Sequence, residues 1–223
     1  MPVSSGRRRV HCRRRDDAAG FTLIELIVTI TLLGILVALS LPSFTAWIRN
    51  TQVRSTAEAL QNGLRLAQAE AVRRNRPMVL TFTDATPALD AAALSGGGGK
   101  NWSLQAIAKG GDSATDATRF VSGGVLGDVA SGVTIADFAG AGIAAICFSS
   151  NGRLLALAAP PTATGTPNTG VTDAACAGTP ARFVVTTTAA TRPLHVLVQL
   201  GGQVRMCDPN RPTLSSTSPD GCP

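Results

Sequence analysis

The chain has 223 residues and a formal charge of +6, but the charge is unevenly placed. Arg7, Arg8, Arg9, Arg13, Arg14 and Arg15 against Asp16 and Asp17 make the first stretch +4, which leaves only +2 for everything after it; a nucleic-acid tail is the alternative reading of such a run, and it loses because the run precedes a long apolar helix. Two histidines in the whole chain, one of them His11 in that basic head, leave little material for acid–base catalysis, so an enzyme is not expected.

The basic head runs into Gly20-Phe21-Thr22-Leu23-Ile24-Glu25-Leu26, and from Phe21 to Ile48 the only ionisable side chain is Glu25. A helix of that length, at about 1.5 Å per residue, is about 42 Å long and crosses a bilayer core. Arginines ahead of it hold the N terminus in the cytoplasm by the positive-inside rule. A carboxylate near the membrane end of such a helix costs up to about 3 kcal/mol and calls for a partner. A cleavable secretory signal ending at Ala38-Leu39-Ser40 would instead give a soluble secreted protein. The apolar run, however, continues through Leu41, Phe44, Trp47 and Ile48.

These residues, with Pro42 further along the run, resemble the type IV pilin and type II secretion pseudopilin class. The resemblance implies cleavage between Gly20 and Phe21 by a prepilin peptidase and N-methylation of Phe21. It also implies that Glu25 neutralises the terminal amine of a neighbouring subunit's Phe21 within a filament. The retained helix would be a single inner-membrane span, with the C-terminal domain periplasmic and other pilin or pseudopilin subunits as partners.

Beyond Pro42, Val53, Ala57, Leu60, Leu64, Ala67 and Ala71 recur at steps of four and three, giving one apolar face. Arg54, Glu58, Gln61, Arg65, Gln68 and Arg73 make the opposite face, and Pro77 stops the helix after Asn75-Arg76. The segment 55–76 is similar to the FimT/GspH branch of the class. The expected fold is therefore α+β and type IV pilin-like: a leader over 1–20, a transmembrane and assembly half-helix over 21–48, an amphipathic half-helix over 49–76, and a β-rich domain over 77–223. Gly34 and Pro42 are the places where the helix is expected to bend or loosen.

From Met78 onward, β-prone runs alternate with small and turn-forming residues, predicting strands at 78–83, 102–108, 133–138, 143–148, 182–188, 194–200 and 203–207. Gly201-Gly202 reads as a two-residue hairpin turn between the last two. Loops are expected at 85–101 and 160–178. Gly96 to Gly99 lack a following Gly-Lys-Ser or Gly-Lys-Thr and read as linker, not as a phosphate cradle.

Cys12 leaves with the leader; Cys147, Cys176, Cys207 and Cys222 remain, an even number that suits an oxidising compartment and allows three pairings. The pairs Cys207 with Cys222 and Cys147 with Cys176 keep each loop local, although Cys147 also reads as a buried thiol in a strand. The cysteines lack the short paired spacings of a zinc site, and neither a metal nor a cofactor is expected. His195, within Leu194-His195-Val196-Leu197-Val198, reads as a structural strand histidine.

The run from Gly201 to Pro209 resembles the terminal segment of FimT-like minor pilins, some of which bind DNA through a Gly-Arg-x-Arg hairpin. Here Gln203 stands for the first arginine and Arg205 alone matches. Arg192, Arg205 and Arg211 are the candidate phosphate contacts. The resemblance implies a minor pilin that helps prime or cap a type IV pilus-like filament, a reading favoured by the cysteine-closed tail. A type II secretion pseudopilin and a DNA-binding minor pilin are the alternatives.

Overall fold

A computed structural model describes residues 21–87, 99–107, 119–126, 132–139, 143, 145–156, 176, 178–188 and 190–223. Residues 1–20, the expected leader with Gly20 and Cys12, and most of the expected loops 85–101 and 160–178 lie outside the described residues. The chain divides into two compact units, Met1–Pro42 and Ser43–Pro223. One helix, α1 (Leu23–Arg74), is continuous through Gly34 and Pro42.

Among the described residues of the first unit the large apolar side chains are all exposed, Phe21 at 86% and Leu39 at 73% among them, and the apolar part of α1 reaches a mean hydropathy of 2.5. The hydroxyls in this stretch bond to their own backbone: Thr29 donates to the carbonyl of Leu26, Thr31 to that of Val28 and Ser40 to that of Val37. Such bonds satisfy the hydroxyls where no water is at hand.

In the second unit the six residues from Val53 to Ala71 on the apolar face of α1 are fully buried. The helix ends as a Schellman motif. The Arg76 amide donates to the carbonyl of Ala71 at 3.1 Å, and Asn75 takes the left-handed conformation at φ 47° just before Pro77.

Eight strands follow among the described residues: β1 (Met78–Thr83), β2 (Asn101–Ala106), β3 (Arg119–Val125), β4 (Val133–Asp137), β5 (Ala145–Phe148), β6 (Ala181–Thr187), β7 (Leu194–Val198) and β8 (Val204–Cys207). They form two antiparallel four-stranded sheets, ordered β3-β2-β1-β5 and β4-β6-β7-β8. One apolar core joins the buried face of α1 to both sheets, and Phe82 of β1 meets Phe183 of β6 with ring centroids 5.0 Å apart. The other face of the first sheet buries Val79, Ile107 and Ala145 around Cys147 and Cys176.

Two expectations are corrected. Strand β3 was not predicted, because Gly123-Gly124 interrupts its apolar pattern. The β7–β8 connection is not a two-residue turn over Gly201-Gly202. The Gly202 amide donates to the Gln199 carbonyl at 2.8 Å, and the Gln199 amide to the Gln203 carbonyl at 3.0 Å. Leu200 and Gly201 are thus the central turn residues, and Gly202, at φ 84°, closes a three-residue loop of the bulged kind. That tip is fastened to its surroundings, since Leu200 accepts from the Leu154 amide at 3.1 Å and Gln68 of α1 donates to the neighbouring Gly152 carbonyl at 2.9 Å.

Candidate functional site

At the start of α1, the Glu25 amide donates to the Thr22 hydroxyl at 3.3 Å, so Thr22 is the N-cap and Glu25 the third helical residue. Thr-Leu-Ile-Glu is a capping-box pattern, a local role for these residues that the sequence reading did not draw. The Glu25 side chain is exposed, and its carboxylate has no partner among the described residues. Phe21 precedes it in irregular backbone, fully open to the surroundings.

A second feature is a cleft of about 640 Å³ in the second unit. It lies between the part of α1 that carries Trp47, Asn50 and Arg54 and the β7–β8 end of the sheet, where Leu194 and Met206 supply apolar wall. Asn50 fixes its rim: the side-chain oxygen accepts the amides of Thr191 and Arg192, each at 3.2 Å, while its Nδ2 donates to the Thr191 hydroxyl at 3.0 Å. Arg54, Arg192 and Arg211 line this cleft together with Asp208 and Asp220. Arg54 pairs with Glu58 at 2.9 Å and Arg211 with Asp220 at 3.4 Å, whereas the Arg192 guanidinium has no partner among the described residues.

Of the three arginines singled out in the sequence, Arg192 and Arg211 therefore share one cleft. Arg205 does not line it. It alternates with Met206 along β8 and so leaves the opposite face, where it donates to the carbonyl of Pro219 at 3.3 Å. On the sheet's edge, Gln61 and Arg65 of α1 both donate to the Val204 carbonyl, at 3.5 and 3.3 Å. The polar face of α1 is thus partly used to satisfy an edge strand.

The third feature is the tail folded over the outer face of β7 and β8. Disulfides join Cys207 to Cys222 and Cys147 to Cys176. His195 is buried, its ring tilted against that of Phe138 with centroids 5.4 Å apart, and its Nδ1 lies 3.9 Å from the Cys222 sulfur. Arg182 lies over the Phe138 ring, 4.7 Å from its centre, and donates to the Pro223 carbonyl at 3.0 Å. Burial, with the nearby Arg182 guanidinium, holds the His195 imidazole below its ordinary titration range, and Asp208 opposes this in part. His195 was read from sequence as an isolated strand residue. Its register partner Cys207 and the returning Cys222 make it part of a cluster.

Comparison with known proteins bears on both units. A curated relative, the type IV major fimbrial protein FimA of Dichelobacter nodosus, is 41% identical over 51 residues, which is 23% of this chain and 31% of that protein. The chain thus matches under a third of the length of that relative. The type IV minor pilin FimU of Pseudomonas aeruginosa aligns in structure with a TM-score of 0.44 and 17% identity, covering 78% of this chain and 96% of that one. The minor pseudopilin EpsH from the type 2 secretion system of Vibrio cholerae aligns with a TM-score of 0.43 and 11% identity, covering 72% and 99%. The prokaryotic N-terminal methylation motif matches residues 15–41. The model of the family described as type II transport protein GspH matches residues 56–202, well over half of the sequence, and the chain belongs to that family.

Proposed function

We propose that the chain is a minor pilin or pseudopilin: a membrane-anchored structural subunit, used in small number to prime or cap an envelope-spanning filament. The observation that carries this reading is the apolar stretch of α1 up to Ile48, whose one acid, Glu25, is the third helical residue, at the head of a GspH-family domain. Prepilin peptidase would cut after Gly20, and Phe21 would become the methylated N terminus. In the inner membrane the Glu25 carboxylate then needs a cation, and the amine of a neighbouring subunit's Phe21 is the one that assembly supplies. The domain 77–223 would lie on the periplasmic side. A pilus is favoured over a secretion pseudopilus by the disulfide-closed tail.

Intact-mass measurement of the membrane-bound protein tests the reading. A chain beginning at Phe21 with one added methyl group is expected, and Gly20→Ala should leave the precursor uncut. A mature start near Leu41 would overturn it in favour of a secreted protein.

Phosphate binding is a second reading, supported by the placement of Arg192 and Arg211 in one cleft. Asp208 and Asp220 in the same cleft weaken it. Two phosphate contacts would give a slope of log affinity against log salt near 1.8, at about 0.9 per contact on duplex DNA. Absence of binding at low salt, or no change in slope on Arg192→Ala, would remove this reading.

A further inference from the structure

Three metal-donor side chains converge beneath the tail. His195 on β7 and Cys207 on β8 are direct register partners, so their side chains leave the same face of the sheet. Cys222 returns to the same point, and the three donor atoms lie within 4.8 Å of one another. With the sulfurs joined at 1.99 Å, neither offers a thiolate.

A tetrahedral zinc ion, with Zn–S near 2.3 Å and Zn–N near 2.0 Å, spaces its donors about 3.5 to 3.8 Å apart. The separation of His195 Nδ1 from Cys222 Sγ, 3.9 Å, is close to that already. The two sulfurs would have to part to reach that spacing, which side-chain rotation supplies.

The position of Cys222 does not depend on its own disulfide alone. The Asp208 amide donates to the Asp220 carbonyl at 2.8 Å, and the Leu214 amide to the Cys222 carbonyl at 3.4 Å. Arg205 and Arg182 hold the carbonyls of Pro219 and Pro223 on either side. Opening the disulfide therefore leaves the donors gathered.

We propose that the reduced tail is a metal site in which His195, Cys207 and Cys222 bind one Zn²⁺ or an ion of similar softness, the fourth position being open to water. Reduction by a trialkylphosphine converts the disulfide to two thiols while the phosphine takes its oxygen from water and becomes the phosphine oxide. Metal binding then releases both thiol protons. Disulfide and metal are mutually exclusive occupants, so the ion would hold Cys207 and Cys222 apart from Cys147 and Cys176 until oxidation.

The test uses the full chain in detergent micelles, with cobalt(II) as the optical probe. The reduced chain should take up one equivalent with thiolate-to-cobalt charge-transfer absorption and the intense ligand-field bands of tetrahedral cobalt. The oxidised chain should show neither, and His195→Gln should weaken binding at least about tenfold. Zinc-edge X-ray absorption on the wild-type chain, which requires no variant, should give two sulfurs and one imidazole nitrogen. Absence of the charge-transfer band, affinity unchanged in His195→Gln, or a shell of four sulfurs would overturn the proposal.

Discussion

Asn50 ties α1 to the sheet region through one side chain, because its amide group satisfies two backbone N–H groups and one hydroxyl of the loop before β7. A hydrogen bond contributes about 1 kcal/mol net, so Asn50→Ala should destabilise the chain by about 1 to 2 kcal/mol, since water can reach the exposed loop and recover part of the loss. Thermal melts of the full chain in micelles measure this directly; an unchanged midpoint would mean the loop holds itself. His195 acts through protonation. Its native titration lies below the ordinary value of 6.5, so on acidification the unfolded chain takes up the proton first. Stability from this group is complete above pH 6.5 and is lost as the pH falls through the native value. Glu70 behaves likewise at lower pH. Hydrogen bonds from Arg73 and Arg74 hold its carboxyl below the ordinary 4.5, so its contribution is complete above that value and disappears with further acid. Melts of the wild type against His195→Leu should therefore diverge in pH dependence just below 6.5 and run parallel above it.

At the scale of elements, the amphipathic half of α1 was fully legible, because six residues at helical spacing need no tertiary knowledge to be placed on one face. Strand β3 was not. Its two glycines look like a break, and each answers a close approach: a Cβ on Gly123 would run into Pro87, while the indole of Trp102 of β2 is seated between Gly63 of α1 and Gly124 of β3. A Cβ on Gly63 would come within 2.8 Å of the indole, and one on Gly124 within 2.6 Å of the same ring atom. The ring therefore has no free side to shift toward. Helix propensity alone says that Gly63→Ala should stabilise α1 by about 1 kcal/mol. Packing says the reverse, and overpacking in a dense core costs about 1 to 3 kcal/mol, so a net loss is expected. Combining Gly63→Ala with Trp102→Leu should cost less than the sum of the two single changes, since the collision vanishes with the ring. Additive losses in a double-mutant cycle would show that the indole is not what Gly63 accommodates.

For the whole molecule, the sites were less legible than the fold, because each is assembled from segments far apart in sequence. The cleft draws on α1, the loop before β7, β8 and the tail, and only there do Arg192 and Arg211 become neighbours while Arg205, on an adjacent stretch of chain, faces away. The head of α1 is different: glycine, phenylalanine and acid stand within six residues, so local sequence carries the pattern. The structure adds that Thr22 caps the helix through the Glu25 backbone amide, which leaves the carboxylate itself uncommitted. Two roles can thus be separated by substitution. Thr22→Val removes the cap and should loosen the first turn by about 1 kcal/mol without abolishing assembly. Glu25→Ala retains the capping amide and should insert and fold normally, yet under the proposed assembly it would leave the neighbouring subunit's amine unpaired in an apolar filament core. Breaking a buried pair costs about 3 to 5 kcal/mol, so incorporation into sheared filaments should fall at least about a hundredfold. Glu25→Gln, which keeps shape and hydrogen bonding but removes the charge, should fail nearly as badly. Wild-type incorporation of Glu25→Gln would show that shape and hydrogen bonding, not ion pairing, are what the position supplies.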